Sequence, residues 1–186
     1  TANFPGKTVQ YTLSTVTFEG KTLEIVDLPG IYSLTSMDLA EFEARKYILS
    51  GQADVVINVI DASLLSRSLE FTIQLMDMDI PIVICLNMMD EARRKGVHID
   101  TEKLSQILGI PVVETIAVKG QGLETLFYEA QRVFEKKIKG KPPSCHKDVE
   151  EVIEKLSGFI DEYILKEFNV PKRFLSKKLL EGDGFF

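Results

Sequence analysis

Two short apolar runs set the narrowest limit on how this chain can fold. Residues 55–60 read Val-Val-Ile-Asn-Val-Ile and residues 80–86 read Ile-Pro-Ile-Val-Ile-Cys-Leu, both rich in β-branched side chains. An alternating strand can leave one face in water, but a continuous apolar strand must be covered on both, which is the habit of parallel sheets. Between the runs, Leu65, Leu69, Ile73 and Met76 recur at helical spacing across 65–78. A helix joining two buried strands is a right-handed crossover unit, so an α/β fold is predicted.

The flanks extend the alternation. Residues 9–18 alternate apolar and polar side chains, Glu19-Gly20-Lys21 reads as a tight turn, and 22–26 return as a partner strand, which together make a β-hairpin. Helices are predicted over 38–49, 90–95, 100–108 and 123–138, with a short strand at 110–115. Asp100 or Thr101 is a suitable N-cap and Gly109 a suitable stop. The Lys-Gly-Lys-Pro-Pro-Ser stretch at 139–144 reads as a linker, beyond which 148–168 and 171–180 have helical spacing. The expected organisation is an α/β domain over 1–140 and a small all-helical domain over 141–186.

Composition removes several classes. With 186 residues, 45% hydrophobic and 27% charged, the chain can bury a core and is not expected to be disordered. A net charge of −6 argues against a nucleic-acid partner. Its two cysteines, Cys85 and Cys145, make no disulfide framework and suggest a reducing compartment. No apolar run approaches the roughly 18–20 residues that a bilayer span needs, and no signal peptide is evident, so the chain reads as soluble.

Chemistry is concentrated where strands end. Asp27-Leu28-Pro29-Gly30 follows an apolar strand and delivers a carboxylate, then a residue without a Cβ. Such a carboxylate can hold a water on phosphate-bound Mg2+, and the glycine amide can approach a terminal phosphate. The same four residues are also good turn chemistry in any protein. Asn87-Met88-Met89-Asp90 follows the second buried strand. There Asn87 and Asp90 can read a guanine edge, since a carboxylate accepts from N1–H and the 2-amino group while adenine offers no matching donor pair. The alternative is a capped loop with Asp90 as a helix N-cap. Thr8 is placed to offer Mg2+ a hydroxyl, and the segment from Thr115 through Ala117 and Val118 to Gly120 to bring backbone N–H groups to the guanine oxygen. Together and in this order, the four features describe a GTPase.

At these residues the sequence resembles the cytosolic region of the ferrous iron transport protein B family. Residues 3–9 (Asn-Phe-Pro-Gly-Lys-Thr-Val) are similar to its first switch motif and 27–34 (Asp-Leu-Pro-Gly-Ile-Tyr-Ser-Leu) to its second. Asn87-Met88-Met89-Asp90 is similar to its guanine motif, with Met88 where many GTPases carry Lys. The helical tail, ending Lys-Leu-Leu-Glu-Gly-Asp at 178–183, resembles the spacer before the membrane part. The resemblance implies a P-loop NTPase-like, Ras-like G domain that binds GTP and GDP with Mg2+. It assigns Thr8 and Asp27 to the metal, Gly30 to the γ-phosphate, and Asn87 and Asp90 to the base. The catalytic positions would be Thr8 and Gly30, with Met88, Thr115, Ala117 and Val118 lining the base. Ile31 stands where Ras-like enzymes place a water-orienting Gln, so hydrolysis should be slow or should lean on backbone groups and an extra cation such as K+. The implied partner is the permease part of the same parent protein at the cytoplasmic membrane, with homo-oligomerisation left open.

One family element is missing from the sequence. It contains no Gly-x-x-x-x-Gly-Lys-Ser/Thr phosphate loop. The expectation is a fragment without its first strand and phosphate loop, which binds GTP weakly or not at all. Two other readings compete: a soluble GTPase of ribosome or tRNA maturation, and a nucleotide-dead docking module. His98, His146 and Cys145 are expected on the surface, Met76, Met78, Met88 and Met89 in core and loop, and Glu150, Glu151 and Glu154 on a solvated helix face.

Overall fold

The structure, a computed structural model, describes residues 11–30, 39–161, 165 and 170–184. Strands β1 (Thr12–Phe18) and β2 (Lys21–Asp27) form the expected antiparallel hairpin. Its two-residue turn has positive φ at both Glu19 and Gly20, 47° and 75°, the geometry whose twist matches the flanking strands. A second, parallel sheet has the order β3 (Val56–Asp61), β4 (Ile82–Asn87), β5 (Val112–Glu114). Helix α2 (Leu65–Asp77) makes the crossover from β3 to β4.

The central strand behaves as its composition demands, with Ile82 through Leu86 all buried. Strand β3 departs from the expectation of cover on both faces: Val59 is 61% exposed. The reason is topological, because β3 pairs with β4 on one side and with no strand on the other among the described residues.

Helices α1 (Leu39–Leu49), α3 (Met89–Arg94), α4 (Thr101–Leu108) and α5 (Leu123–Lys136) follow the predicted order. Asp100 caps α4 by accepting from the Lys103 amide at 2.9 Å, and Gly109 ends it in the left-handed conformation. One face of the parallel sheet packs Val83, Cys85 and Val113 against Leu126 and Val133 of α5. The hairpin is tied to the same helix by the Phe18 and Phe127 rings, 5.8 Å apart, and by a Lys21–Glu135 ion pair. Phe134 of the same helix is exposed.

The predicted linker is pinned. Lys139 bridges to Pro81, the Lys141 amide donates to Leu108, and a Cβ at Gly140 would come within 2.7 Å of Met76. Helices α6 (Lys147–Phe159) and α7 (Lys172–Leu180) follow. The single helix expected over 148–168 ends at Phe159, where Ile160 turns extended. That turn sends Ile160 into the core that also holds Phe71, Leu75, Phe174 and Leu175, and Lys172 Nζ donates to its freed carbonyl at 2.8 Å. Burial of one apolar side chain therefore outweighs helix continuation just past the weak helix formers Ser157 and Gly158.

Charge fixes the tail to the α/β unit. Arg45 of α1 makes a bidentate pair with Asp183, both side chains 5% exposed, and Lys177 of α7 pairs with Asp77 at the end of α2. Glu150 is not on a solvated face as expected; it pairs with Arg173 of α7 and accepts from the Cys145 amide. These two donors hold its carboxyl at about 2, with the Arg173 hydrogen bond the larger cause. No helix among the described residues is long and apolar enough to cross a membrane.

Asp183→Asn removes the charge from a buried bidentate pair and so should cost about 3 kcal/mol in urea unfolding. A folded-state carboxyl pulled below its usual value stabilises the fold in full above the unfolded value. That contribution is lost as pH falls through the folded one. The difference in unfolding midpoint between the wild type and Glu150→Gln should accordingly be constant near neutrality and shrink as pH drops from 4.5 toward 2.

Candidate functional site

Parallel strands end on the same side, and ligands of open α/β sheets bind beyond those carboxyl ends. The register pairs Asp61 with Asn87 and Leu86 with Glu114, so β3, β4 and β5 bring Asp61, Asn87 and Thr115 to one edge. There the Asn87 side chain is fixed from two directions. Its Oδ1 accepts from the Thr115 hydroxyl at 3.1 Å and from the Ala117 amide at 3.0 Å. Two donors on one atom identify it as the oxygen, which leaves Nδ2 as the outward donor.

Thr115 is itself buried, 3.2 Å from the Cys85 sulfur. Because its single proton goes to Asn87, the thiol must donate to the Thr115 oxygen. Burial pushes the Cys85 thiol up, more than the Thr115 contact lowers it, so the thiol keeps that proton. A relay of Cys85, Thr115 and Asn87 thus runs from the core to the sheet edge and sets the orientation of the amide.

Met88 carries the chain out of β4 with φ 61° and ψ 36°, left-handed values that a non-glycine residue rarely adopts. Met88 is the N-cap of α3, and Asp90 falls in its first turn rather than capping it. Asp90 Oδ1 accepts from the Glu91 amide and Oδ2 from Lys119 Nζ, both at 3.0 Å. The Lys119 hydrogen bond is the main cause that lowers the Asp90 carboxyl, so it is an ionised, acceptor-only group near neutrality. Asn87 and Asp90 therefore present a donor and a double acceptor three residues apart, with Met88 and Val118 exposed beside them.

The loop after β5 is rigid. Ile116 and Gln121 exchange backbone hydrogen bonds at 3.1 and 3.3 Å, and Gly120 and Gly122 both have positive φ. A Cβ on Gly122 would lie 2.1 Å from the Glu114 carbonyl oxygen.

Asp27 and Gly30 stand at the end of β2, on the hairpin rather than the parallel sheet. Both are exposed, and Leu28 between them packs on the main core. A Cβ at Gly30 would meet nothing within 4 Å among the described residues. Thr8 and Ile31 lie outside the described residues, as does the rest of both switch motifs. No group of three or more potential metal ligands occurs among the described residues. A Mg2+ ion held mainly by phosphate and water asks for no such group, and Asp27 fits the role of its single carboxylate. His98 and His146 are exposed, while Met76, Met78 and Met89 are buried. Sequence reasoning assigned no role to the Lys119 and Cys85 side chains. Asp90 and Lys119 follow the ends of the adjacent parallel strands β4 and β5, which carried the signal for the first; an apolar strand gave none for the second.

The ferrous iron transport protein B family profile matches residues 1–130. The chain is 37% identical over 185 residues to an Fe(2+) transport protein A/Fe(2+) transporter FeoB fusion protein of Porphyromonas gingivalis. That match covers 97% of this chain and 22% of the relative. The Fe(2+) transporter FeoB of Escherichia coli is 41% identical over 128 residues, which cover 67% of this chain and 17% of the relative. The chain thus spans about a fifth of the length of these curated relatives. Among solved structures, the cytosolic domain of the T. maritima FeoB iron transporter in its GMPPNP form superposes with a TM-score of 0.87. Its identity is 34%, covering 98% of this chain and 71% of that one. The same domain in a GDP form gives 0.86, and the cytosolic domain of L. pneumophila FeoB gives 0.85.

Gly122→Ala should destabilise the fold by about 1–3 kcal/mol, from the left-handed backbone and the clash with Glu114. The Ala117 amide resonance should move with it, because the loop that carries this amide must shift. An unmoved resonance and an unchanged unfolding midpoint would show that the loop has slack.

Proposed function

As the chain belongs to the ferrous iron transport protein B family, we propose that it is the guanine-nucleotide module of a membrane transporter. Its slow GTP hydrolysis regulates ferrous iron uptake. The observation that carries this reading is the pairing of an Asn87 amide locked with its donor outward and an ionised Asp90 three residues on. Guanine offers N1–H and the 2-amino group to a carboxylate and an acceptor edge to an amide donor. Adenine leaves the carboxylate facing an acceptor, a mismatch against which such a site discriminates. In this reading the Val118 amide is the donor to the guanine oxygen, since the Ala117 amide is committed to Asn87 Oδ1.

In the same reading Asp27 and Thr8 hold Mg2+ and Gly30 approaches the γ-phosphate. When bound, the metal neutralises charge on the phosphates; this chain supplies the carboxylate that orients it. With Ile31 unable to polarise water, turnover is slow and draws on backbone groups and K+. Residues 141–186 form the spacer toward the permease part of the parent protein, at the cytoplasmic face of the membrane. Family membership favours this over a soluble ribosome or tRNA-maturation GTPase and over a nucleotide-dead module.

Two variants of the full-length protein test it by titration with fluorescent nucleotide analogues. Asp90→Asn should shift preference from guanine toward xanthine, whose 2-oxo group wants a donor; retained GTP preference sinks the assignment of the base. Thr8→Ala should slow Mg2+-dependent hydrolysis by about 10-fold or more while leaving GDP affinity within a few-fold. Unaltered turnover removes Thr8 from the metal.

A further inference from the structure

The base-reading carboxylate is already occupied. Asp90 Oδ1 holds the Glu91 amide, and Oδ2 holds the Lys119 ammonium at 3.0 Å. Lys119 lies two residues beyond Ala117, whose amide is bound to Asn87. Contacts therefore run in a closed ring, Asn87 to Ala117, along the chain to Lys119, across to Asp90 and back through Met88. A guanine edge would have to meet three members of that ring at once. The Glu91 amide belongs to the first turn of α3 and has no partner within the helix, and Oδ1 has a second lone pair to share. Lys119 is different: its long, rotatable side chain is 55% exposed, so it can leave Asp90 without any change in the backbone. Arg94, the other cation near Asp90, is held by both oxygens of Glu91 and does not contact the carboxylate.

We infer that Lys119 is a stand-in for the base: its ammonium fills the Oδ2 position of Asp90 in the nucleotide-free protein, and guanine binds by exchanging that contact for its own donors. This rests on the guanine reading above and adds a specificity-determining residue to it. The stand-in keeps the carboxylate aimed at the site without a ligand, and it sets a threshold. A base with two donors opposite Asp90 replaces the ammonium contact, whereas a base with none must displace it for nothing. The effect lies in association, because the fraction of molecules with Oδ2 open scales the encounter rate while the bound complex is unchanged.

The test is stopped-flow binding of a fluorescent GDP analogue to the full-length protein, wild type against Lys119→Met and Lys119→Arg. The pair is exposed, so Lys119→Met should bind more tightly by no more than about five-fold, through a faster association rate and an unchanged dissociation rate. Lys119→Arg should resemble wild type. Raising salt screens the pair, so the wild-type and Lys119→Met affinities should converge, which a merely structural lysine would not produce. Equal or weaker binding by Lys119→Met, or a ratio indifferent to salt, overturns the stand-in while leaving guanine binding intact. Absence of GDP binding in wild type and variants alike overturns the guanine reading and this inference with it.

Discussion

The site depends on one buried hydroxyl. Thr115 directly follows the edge strand, Asn87 ends the central one, and the hydrogen bond between them converts a parallel register into a fixed side-chain direction. Neighbouring parallel strands deliver several side chains to one edge without saying which way each points. The Cys85 thiol supplies that information from below, by donating to Thr115 and committing its proton to Asn87. An amide set in this way needs no reorganisation when a ligand arrives, and preorganised polar groups are where such sites gain their selectivity.

The fold was legible wherever a residue's local preference and its tertiary role agreed. Ile82 through Leu86 are buried as a continuous apolar strand must be, and Glu19-Gly20 turns as its dipeptide suggests. Agreement failed where a long-range partner decided the outcome. Periodicity runs on past Phe159, but the chain breaks there because Ile160 has a place in the core. Glu150 has the look of a solvated charge among others and is drawn in by Arg173, 23 residues away. Val59 belongs to an apolar run and is nevertheless exposed, since strand neighbours are a property of topology and not of the run itself.

The site divides in the same way. Asn87 and Asp90 could be picked out because they follow a strand that composition alone identifies as buried. Their surroundings could not. That Asp90 is met by Lys119, or that Asn87 accepts rather than donates toward Ala117, depends on where β5 lies relative to β4. The Asp27 and Gly30 pair is a different case. By itself its sequence also reads as an ordinary turn, and in the fold both residues are exposed at the end of the hairpin, next to residues outside the described ones.

The stretch around Gly140 looks like a place to divide the chain, rich in Pro, Gly and Lys. In the fold it is a fastening: Lys139 bridges Pro81, Gly140 lies flush on Met76, and Lys141 closes onto Leu108. A protein engineer cutting there would uncover Met76 and Ile110 on one piece and Phe174 on the other, while Arg45, Asp77 and Lys177 would lose partners across the cut. A cut a few residues later, at the exposed Pro143 and Ser144, would leave the fastening whole, but Phe174 and the pairs of Arg45 and Asp77 would still be parted from their partners.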